Sequence, residues 1–437
     1  MKKLVVVLAM VVVVAGTLGA SACAAPTAPE EIKIGTVLPM TGMFTGFGEG
    51  NGFGMQAAVD DINAQGGLDV GGKKMKVKLI VLDSESDPAK VGGLAEDLMA
   101  REKIVFYAAP DCPAPMWAPA AIVGERYKVP SIIGGGPMEP WAGMRMEATP
   151  PWEYNWLSGF AIATPPDPGD FRDKPGYTIK DTWFEFLDIY GGQTNKVAGV
   201  FATDEPDGRG WYGLFPGLLK DYGCNVIGME KNLGLVPMET TDFSSVIAEW
   251  KANNVEILWG NCPGPVFGAM WKQAIGMGFE PKIVAIGRAA LFYVDVAAWG
   301  GDLPWGVGTE VWWSPEFTNC PGIGDTTPKS LAERWAKEKK QPLNPGIGHG
   351  YVCVQIGLEA IKQAGSLDTT KINAAIPTLD MPSINHRVKF NKDHFNRIPL
   401  LYGQWFKVDM PEKWELRITL SKHDFLPAQD TPIFPLP

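Results

Sequence analysis

Glycines at positions 42, 46, 48, 50, 52 and 54 crowd the segment after the first apolar run. A dinucleotide-binding turn needs Gly-x-Gly-x-x-Gly, because the tight turn and the approaching pyrophosphate leave no room for a Cβ. Counting from Gly46 puts the third glycine at Asn51, and counting from Gly48 puts it at Phe53, so the fingerprint fails. No phosphate-binding P-loop sequence is present either. The four histidines, His349, His386, His394 and His423, contain no H-x-x-x-H pair. There is no Cys-x-x-Cys and no Gly-x-Ser-x-Gly nucleophile elbow. Adjacent acids such as Asp204 and Glu205 are common on solvated loops. No spacing assembles a catalytic or metal-binding constellation. The chemistry points to binding rather than turnover, with no cofactor and no metal.

A binding site is better sought at the C-terminal ends of strands, where open α/β sheets take their ligands. The segments that fall there are 40–48, 110–117, 134–141, 204–211, 261–267 and 287–292. They are rich in Gly, Pro and aromatic residues with a few polar groups, a composition suited to a pocket of rings and backbone N–H donors. The Gly-rich segment reads as a loop over 41–54 that feeds a helix N-terminus, a place where a ligand carboxylate is stabilised.

Strand and helix patterns alternate along most of the chain. Apolar, β-rich runs predict strands over 32–38, 75–82, 104–108, 130–133, 196–202, 226–230, 255–259, 282–286, 307–313, 401–408 and 414–420. Helical periodicity and caps predict helices over 55–64, 88–101, 211–222, 243–252, 266–277, 330–339 and 350–364. Asp87-Pro88 is a helix start, with a capping carboxylate followed by a proline in the first turn. Gly66-Gly67 is a helix stop. Such alternation implies parallel βαβ units. Residues 137–175, dense in Pro, Gly and Trp, break the rhythm and read as a crossing with an insertion. Two βα series of similar make-up, joined by irregular crossings, argue an α/β architecture with two doubly wound lobes.

A chain of 437 residues exceeds one ordinary core, which agrees with two lobes. The net charge of −10 argues against a nucleic-acid partner, which would want basic stripes. Lys2 and Lys3 precede an apolar run over 4–18 and then small residues up to Cys23. That order is an export signal over 1–22. Ala20-Ser21-Ala22-Cys23 resembles a bacterial lipobox, which implies lipidation at Cys23, a tether over 23–31 and location in the periplasm or at the cell surface. Apart from Cys23, the five cysteines are Cys112, Cys224, Cys262, Cys320 and Cys353. Their odd number leaves at least one thiol unpaired, and any pairing stays open.

Several short sequences, in order, resemble the leucine/isoleucine/valine-binding family of type I periplasmic binding proteins. They include Pro39-Met40-Thr41-Gly42, Asp61-Ile62-Asn63-Ala64, Val129-Pro130-Ser131, Gly208-Arg209-Gly210, Thr241-Asp242-Phe243-Ser244 and Gly276-Met277-Gly278-Phe279. The resemblance implies two Rossmann-like lobes joined by three crossings, near Thr164, Ser314 and Ile398, one lobe of residues 32–163 and 314–397 and the other of residues 164–313 and 398–437. It implies an exported subunit that delivers a small ligand to the permease and ATPase of an ABC importer. A ligand-sensing receptor subunit is the alternative. It also implies ligand-binding positions. The aromatic that touches the ligand side chain falls on Phe47, and the carboxylate-binding serine on Cys112. The small-residue turn falls on Gly135 and Gly136, and its threonine on Pro137. The second-lobe aromatic falls on Asp207 and the tyrosine of the next loop on Pro263. The acid that pairs with an amino acid's ammonium falls at Gly287 or Arg288. With arginine there, the expected ligand is an organic carboxylate flanked by Phe47, Trp117 and Trp141. An amino acid whose ammonium has moved to Asp207 is the rival expectation. In a further expectation, Arg288 pairs with an acid of the protein and Asp207 faces water.

Overall fold

The computed structural model describes residues 31–437; the export signal and Cys23 lie outside them. The chain opens with β1 (Ile32–Leu38), α1 (Thr45–Ala64), the hairpin β2 (Leu68–Val70) and β3 (Lys73–Met75), and β4 (Val77–Asp83). It continues with α2 (Pro88–Glu96), β5 (Phe106–Ala109), α3 (Ala118–Tyr127), β6 (Ser131–Ile133), α4 (Met138–Glu147) and β7 (Asn155–Gly159). There follow α5 (Ile179–Tyr190), β8 (Val197–Thr203), α6 (Pro206–Asp221), β9 (Asn225–Ile227), β10 (Leu235–Val236) and α7 (Ser244–Ala252). Then come β11 (Ile257–Cys262), α8 (Gly264–Gly276), β12 (Ile283–Arg288), α9 (Tyr293–Trp299) and β13 (Gly308–Val311). The last part holds α10 (Pro328–Lys339), α11 (Gly346–Ala364), α12 (Thr369–Ala375), β14 (Asp380–Ser383), β15 (His386–Lys389), β16 (Phe395–Arg397), β17 (Leu401–Lys407) and β18 (Trp414–Leu420).

Two main sheets result. The first runs β16-β7-β6-β5-β1-β4, and all its pairings are parallel. The second runs β10-β8-β11-β12-β13-β17-β18, with β9 also paired to β8, and turns antiparallel from β13 onward. The chain passes between the sheets three times, after β7, after β13 and after β16. Central strands such as β5, β11 and β12 are buried along their whole length, as parallel strands covered by helices on both faces must be. Asp87 caps α2 by accepting from the Ala89 N–H at 2.9 Å, ahead of Pro88.

Two expectations are corrected. The Gly-rich stretch over 41–54 is not a loop: α1 begins at Thr45. Its glycines allow close packing: Gly54 meets α11, Gly50 faces Asn344 just ahead of α11, Gly46 faces Phe292, and Gly48 and Gly52 face residues 38–40. A Cβ on Gly54 would overlap the Ile347 carbonyl, and one on Gly350 of α11 would overlap the Asn51 carbonyl. The two backbones approach too closely for side chains, so a composition read as flexible serves close helix packing. The irregular region 137–175 contains two regular elements, α4 and β7, and α5 follows it. Proline and glycine density hid α4 and β7. A buried, aromatic-rich face, with Trp183, Phe184 and Phe186, holds α5.

Among the described residues no helix is long and apolar enough to cross a membrane. The thiols of Cys112, Cys224, Cys262, Cys320 and Cys353 are all buried and unpaired.

Candidate functional site

The C-terminal ends of both parallel sheets converge on one cavity. Its residual free space is about 10 Å³, room for roughly one water molecule. From the first sheet's side come Phe47 on the first turn of α1, Asp111 and Cys112 after β5, Gly136 and Pro137 after β6, and Phe160 after β7. From the second come Asp207 and Trp211 on α6, Asn261 on β11, Arg288 ending β12, Glu310 on β13, and Trp312 just beyond it.

Arg288 is the organising group on the second side. Its backbone takes a left-handed φ of 61°, uncommon for a residue with a side chain. β11 and β12 pair in parallel with Asn261 opposite Gly287, which brings the Asn261 amide beside the guanidinium. Arg288 Nε donates to Asn261 Oδ1 at 2.7 Å. Its Nη2 donates to Glu205 Oε1 at 2.6 Å and to Thr203 Oγ1 at 3.2 Å. Its Nη1 has no hydrogen-bond partner and lies 3.9 Å from Asp207 Oδ2. Glu205 is also the N-cap of α6, accepting from the N–H groups of Asp207 and Gly208 at 3.0 and 2.9 Å. Burial would raise the Glu205 carboxyl, but the charge and hydrogen bond of Arg288, together with these N–H donors, hold it below its ordinary value.

Asp111 faces this group from the other side. Its N–H donates to Asn51 Oδ1 at 3.1 Å, which ties the loop after β5 to α1. Gly135 makes room for it, since a Cβ there would sit 2.5 Å from the carboxylate. Asp111 and Asp207 are 1% and 4% exposed, and each has a carboxylate oxygen without a partner, Oδ2 and Oδ1 respectively. Burial, then the charges of Glu310 and Asp207, push the Asp111 carboxyl well above its ordinary value. Burial raises Asp207 too, against the pull of Arg288. Burial moves Glu310 up to about 7, although its backbone hydrogen bonds, Thr309 and Arg288 pull the other way. The Cys112 thiol is pushed up by burial and by Asp111, so it stays protonated and is no nucleophile.

Aromatic rings complete the walls. Trp312 stacks on Phe160 with centroids 5.0 Å apart, and its Nε1 has no partner. Phe47 meets Phe292, which follows β12, edge to face at 4.5 Å. That contact spans the cleft between the two sheets.

Of the residues named from the sequence, Phe47, Cys112, Gly136, Pro137, Asp207 and Arg288 line one cavity, and Gly135 stands behind Asp111. Pro263 does not: it caps α8 and is buried outside the lining. Trp117 and Trp141 do not flank the cavity either; the Trp117 indole is turned to the Cys112 carbonyl at 2.9 Å. Arg288 is paired with Glu205, and Asp207 is buried rather than facing water. Sequence reasoning missed Glu310, a carboxylate just ahead of the apolar run from Val311 to Trp313. Phe160 was hidden in the stretch read as an insertion. A larger cavity of about 450 Å³ lies elsewhere, against Trp313, Trp405 and Trp414. None of its lining side chains has a buried polar atom without a partner, whereas the cleft has several.

Known proteins share the fold that carries this cleft. The family model described as "Periplasmic binding protein" matches residues 31–166 and 175–407, leaving only 167–174 of the expected insertion outside it. The Leu/Ile/Val-binding protein BraC3 of Rhizobium johnstonii is 35% identical over 361 residues, covering 80% of this chain and 84% of that protein. Among solved structures, the leucine-binding protein LivK of Thermotoga maritima superposes with a TM-score of 0.69 at 17% identity, covering 90% of this chain and 99% of that one. A solute-binding protein of an ABC transporter from R. palustris, in complex with benzoate, gives 0.65 at 15% identity, covering 92% and 99%. The chain belongs to the periplasmic binding protein family, as a type I member of its leucine/isoleucine/valine-binding group.

Proposed function

We propose that this chain is the extracytoplasmic solute-binding subunit of an ABC importer, and that it closes the cleft around Arg288, Asp207 and Asp111 on a small polar solute. Family membership supports the role, because this fold binds solutes and is non-enzymatic in general. The observation that carries the location is the set of buried polar atoms without partners, contributed from both sides of one cavity: Asp111 Oδ2, Asp207 Oδ1, Arg288 Nη1 and Trp312 Nε1. Unpaired buried polar groups are costly, and a solute that supplies donors and acceptors removes that cost. The ligand would be of amino-acid or organic-acid size. The organic-acid expectation rested on an unpaired arginine, and the Glu205 pairing withdraws that support.

The two lobes, residues 32–163 with 314–397 and residues 164–313 with 398–437, rotate about the three passages between the sheets. The cleft as it stands holds about one water, so a larger solute enters by such opening. Cys23 carries the lipid that anchors the protein beside its permease and ATPase partners.

A thermal-shift screen of small solutes tests the role. A ligand at a hundred times its Kd stabilises the folded protein by about 2.7 kcal/mol, and that gain disappears in Asp207→Ala and Trp312→Ala. A ligand whose binding survives both changes sits elsewhere and removes the assignment. Cys23→Ala releases the protein from membranes; retention there refutes the anchor.

A further inference from the structure

The cleft holds more carboxyl groups than cations, and that excess selects a solute. The lining residues bring three carboxylates, Asp111, Asp207 and Glu310, and one guanidinium, Arg288. Glu205, directly behind, adds a fourth carboxylate, and it is the one that Arg288 holds at 2.6 Å. With that pair neutral, the remaining acids have, among the described residues, no cation within ion-pair distance except Arg288 itself, 3.9 Å from Asp207. Without a cation beside them, burial favours the protonated forms of these acids. A solute carboxylate would add one more acid to the group, whereas a solute ammonium would stabilise their ionised forms as its counter-ions.

The unpartnered atoms sort the same way. Asp111 Oδ2 and Asp207 Oδ1 are acceptors that lack donors. They come from opposite sides of the cleft, so one N–H-bearing cation can bridge them and hold the lobes together. Arg288 Nη1 and Trp312 Nε1 are donors that lack an acceptor. A neutral carbonyl or hydroxyl oxygen beside the amine satisfies them without adding negative charge. Phe47, Phe160, Trp211 and Trp312 supply ring faces, which attract a desolvated cation.

We propose that the cleft binds a compact amine carried as a monocation, with a neutral carbonyl or hydroxyl oxygen and no carboxylate, and that Asp111 and Asp207 clamp its ammonium from opposite lobes. This rests on the cleft being the binding site and names the class of solute it takes.

Calorimetric titration with head-group series tests the proposal at neutral pH. Leucinamide, leucine, isocaproamide and isocaproate share one tail and differ in charge; glycinamide, glycine, acetamide and acetate repeat the comparison with a smaller body. The expected order places the amide cation first in at least one series. The zwitterion, neutral amide and anion each bind at least about tenfold more weakly. Asp207→Asn and Asp111→Asn each weaken the bound cation by at least about tenfold, with unchanged thermal midpoints showing that the variants are folded. Tighter binding of leucine or isocaproate than of leucinamide, lost in Asp207→Asn, overturns the solute class and leaves the cleft in place. Cation binding unaffected by both variants overturns the clamp and the cleft together. Failure of both amide cations to bind at millimolar concentration also overturns the class.

Discussion

Glu205 and Arg288 meet at 2.6 Å with side-chain exposures of only 10% and 6%, a salt bridge walled off from water at the floor of the cleft. Removing one partner of such a pair strands the other charge in a poorly polarisable surrounding. Glu205→Gln is expected to cost about 3–5 kcal/mol in urea unfolding. It also weakens the start of α6, which Glu205 caps. The double change Glu205→Gln with Arg288→Met recovers part of the loss, because the stranded guanidinium is gone, while Asp207 loses its nearest cation. A double variant no more stable than the single one would show that the cap, not the ion pair, carries the energy.

Phe47 and Phe292 touch across the cleft, and Gly46 lets them meet: a Cβ at position 46 would lie 2.8 Å from the Phe292 ring. An edge-to-face pair of this kind is worth about 0.5–1.5 kcal/mol beyond the area it buries. Phe292→Ala is expected to shift the unliganded protein toward the open form. X-ray solution scattering should then give a larger radius of gyration than wild type without ligand, and a ligand at saturation should restore the smaller value. An unchanged radius would mean that this contact does not govern closure.

Glycines within helices can be told apart by what surrounds them. Gly54→Ala places a methyl on the Ile347 carbonyl and must push α1 away from α11, with an expected loss of about 1–3 kcal/mol. Gly276 ends α8, and a methyl added there would meet nothing within 4 Å, so Gly276→Ala is expected to be neutral or to stabilise by up to about 1 kcal/mol. Denaturant midpoints of the two variants should move in opposite directions or, for Gly276→Ala, stay put.

Glu310 makes stability fall as pH rises. Its carboxyl is held at about 7 in the folded chain against an ordinary 4.5, with Arg288, Asp111 and Tyr402 as the titratable groups around it. A raised carboxyl means that the fold favours the protonated form. The contribution is therefore complete below about pH 4.5 and is lost as pH climbs to about 7. Glu310→Gln removes this loss. Its unfolding free energy should gain on wild type between those pH values, by an amount on the order of 3 kcal/mol, and the gap should stay constant above them. A gap independent of pH would show that Glu310 does not titrate in this range.

Regular alternation was legible in the sequence because buried parallel strands such as β11 and β12 are continuous apolar runs, and caps such as Asp87-Pro88 announce their helices locally. What was illegible depended on partners far along the chain. The glycines of α1 signal a loop until their neighbours are known, as with Gly54, which lies against α11 some 300 residues on. β7 is a strand because β6 and β16 flank it in the sheet. Six of the eight ligand-binding positions drawn from the sequence line the cavity, since they sit at strand ends or on the first turn of a helix, where topology fixes direction. The ionic arrangement did not follow, because the pairing of Arg288 with Glu205 joins two strand ends 83 positions apart.

The five buried, unpaired thiols have a consequence for how the protein is made. Its fold uses no oxidative cross-link among the described cysteines, so it has no need of an oxidant to mature. A leaderless version produced in a reducing cytoplasm can reach the same native state as one secreted into an oxidising space. In an oxidising space the unfolded chain would carry these sulfurs uncovered, open to wrong pairing until the core closes over them. Rapid collapse of β5, β11 and α11, which shelter Cys112, Cys262 and Cys353 or stand beside them, is then the protection against that misassembly.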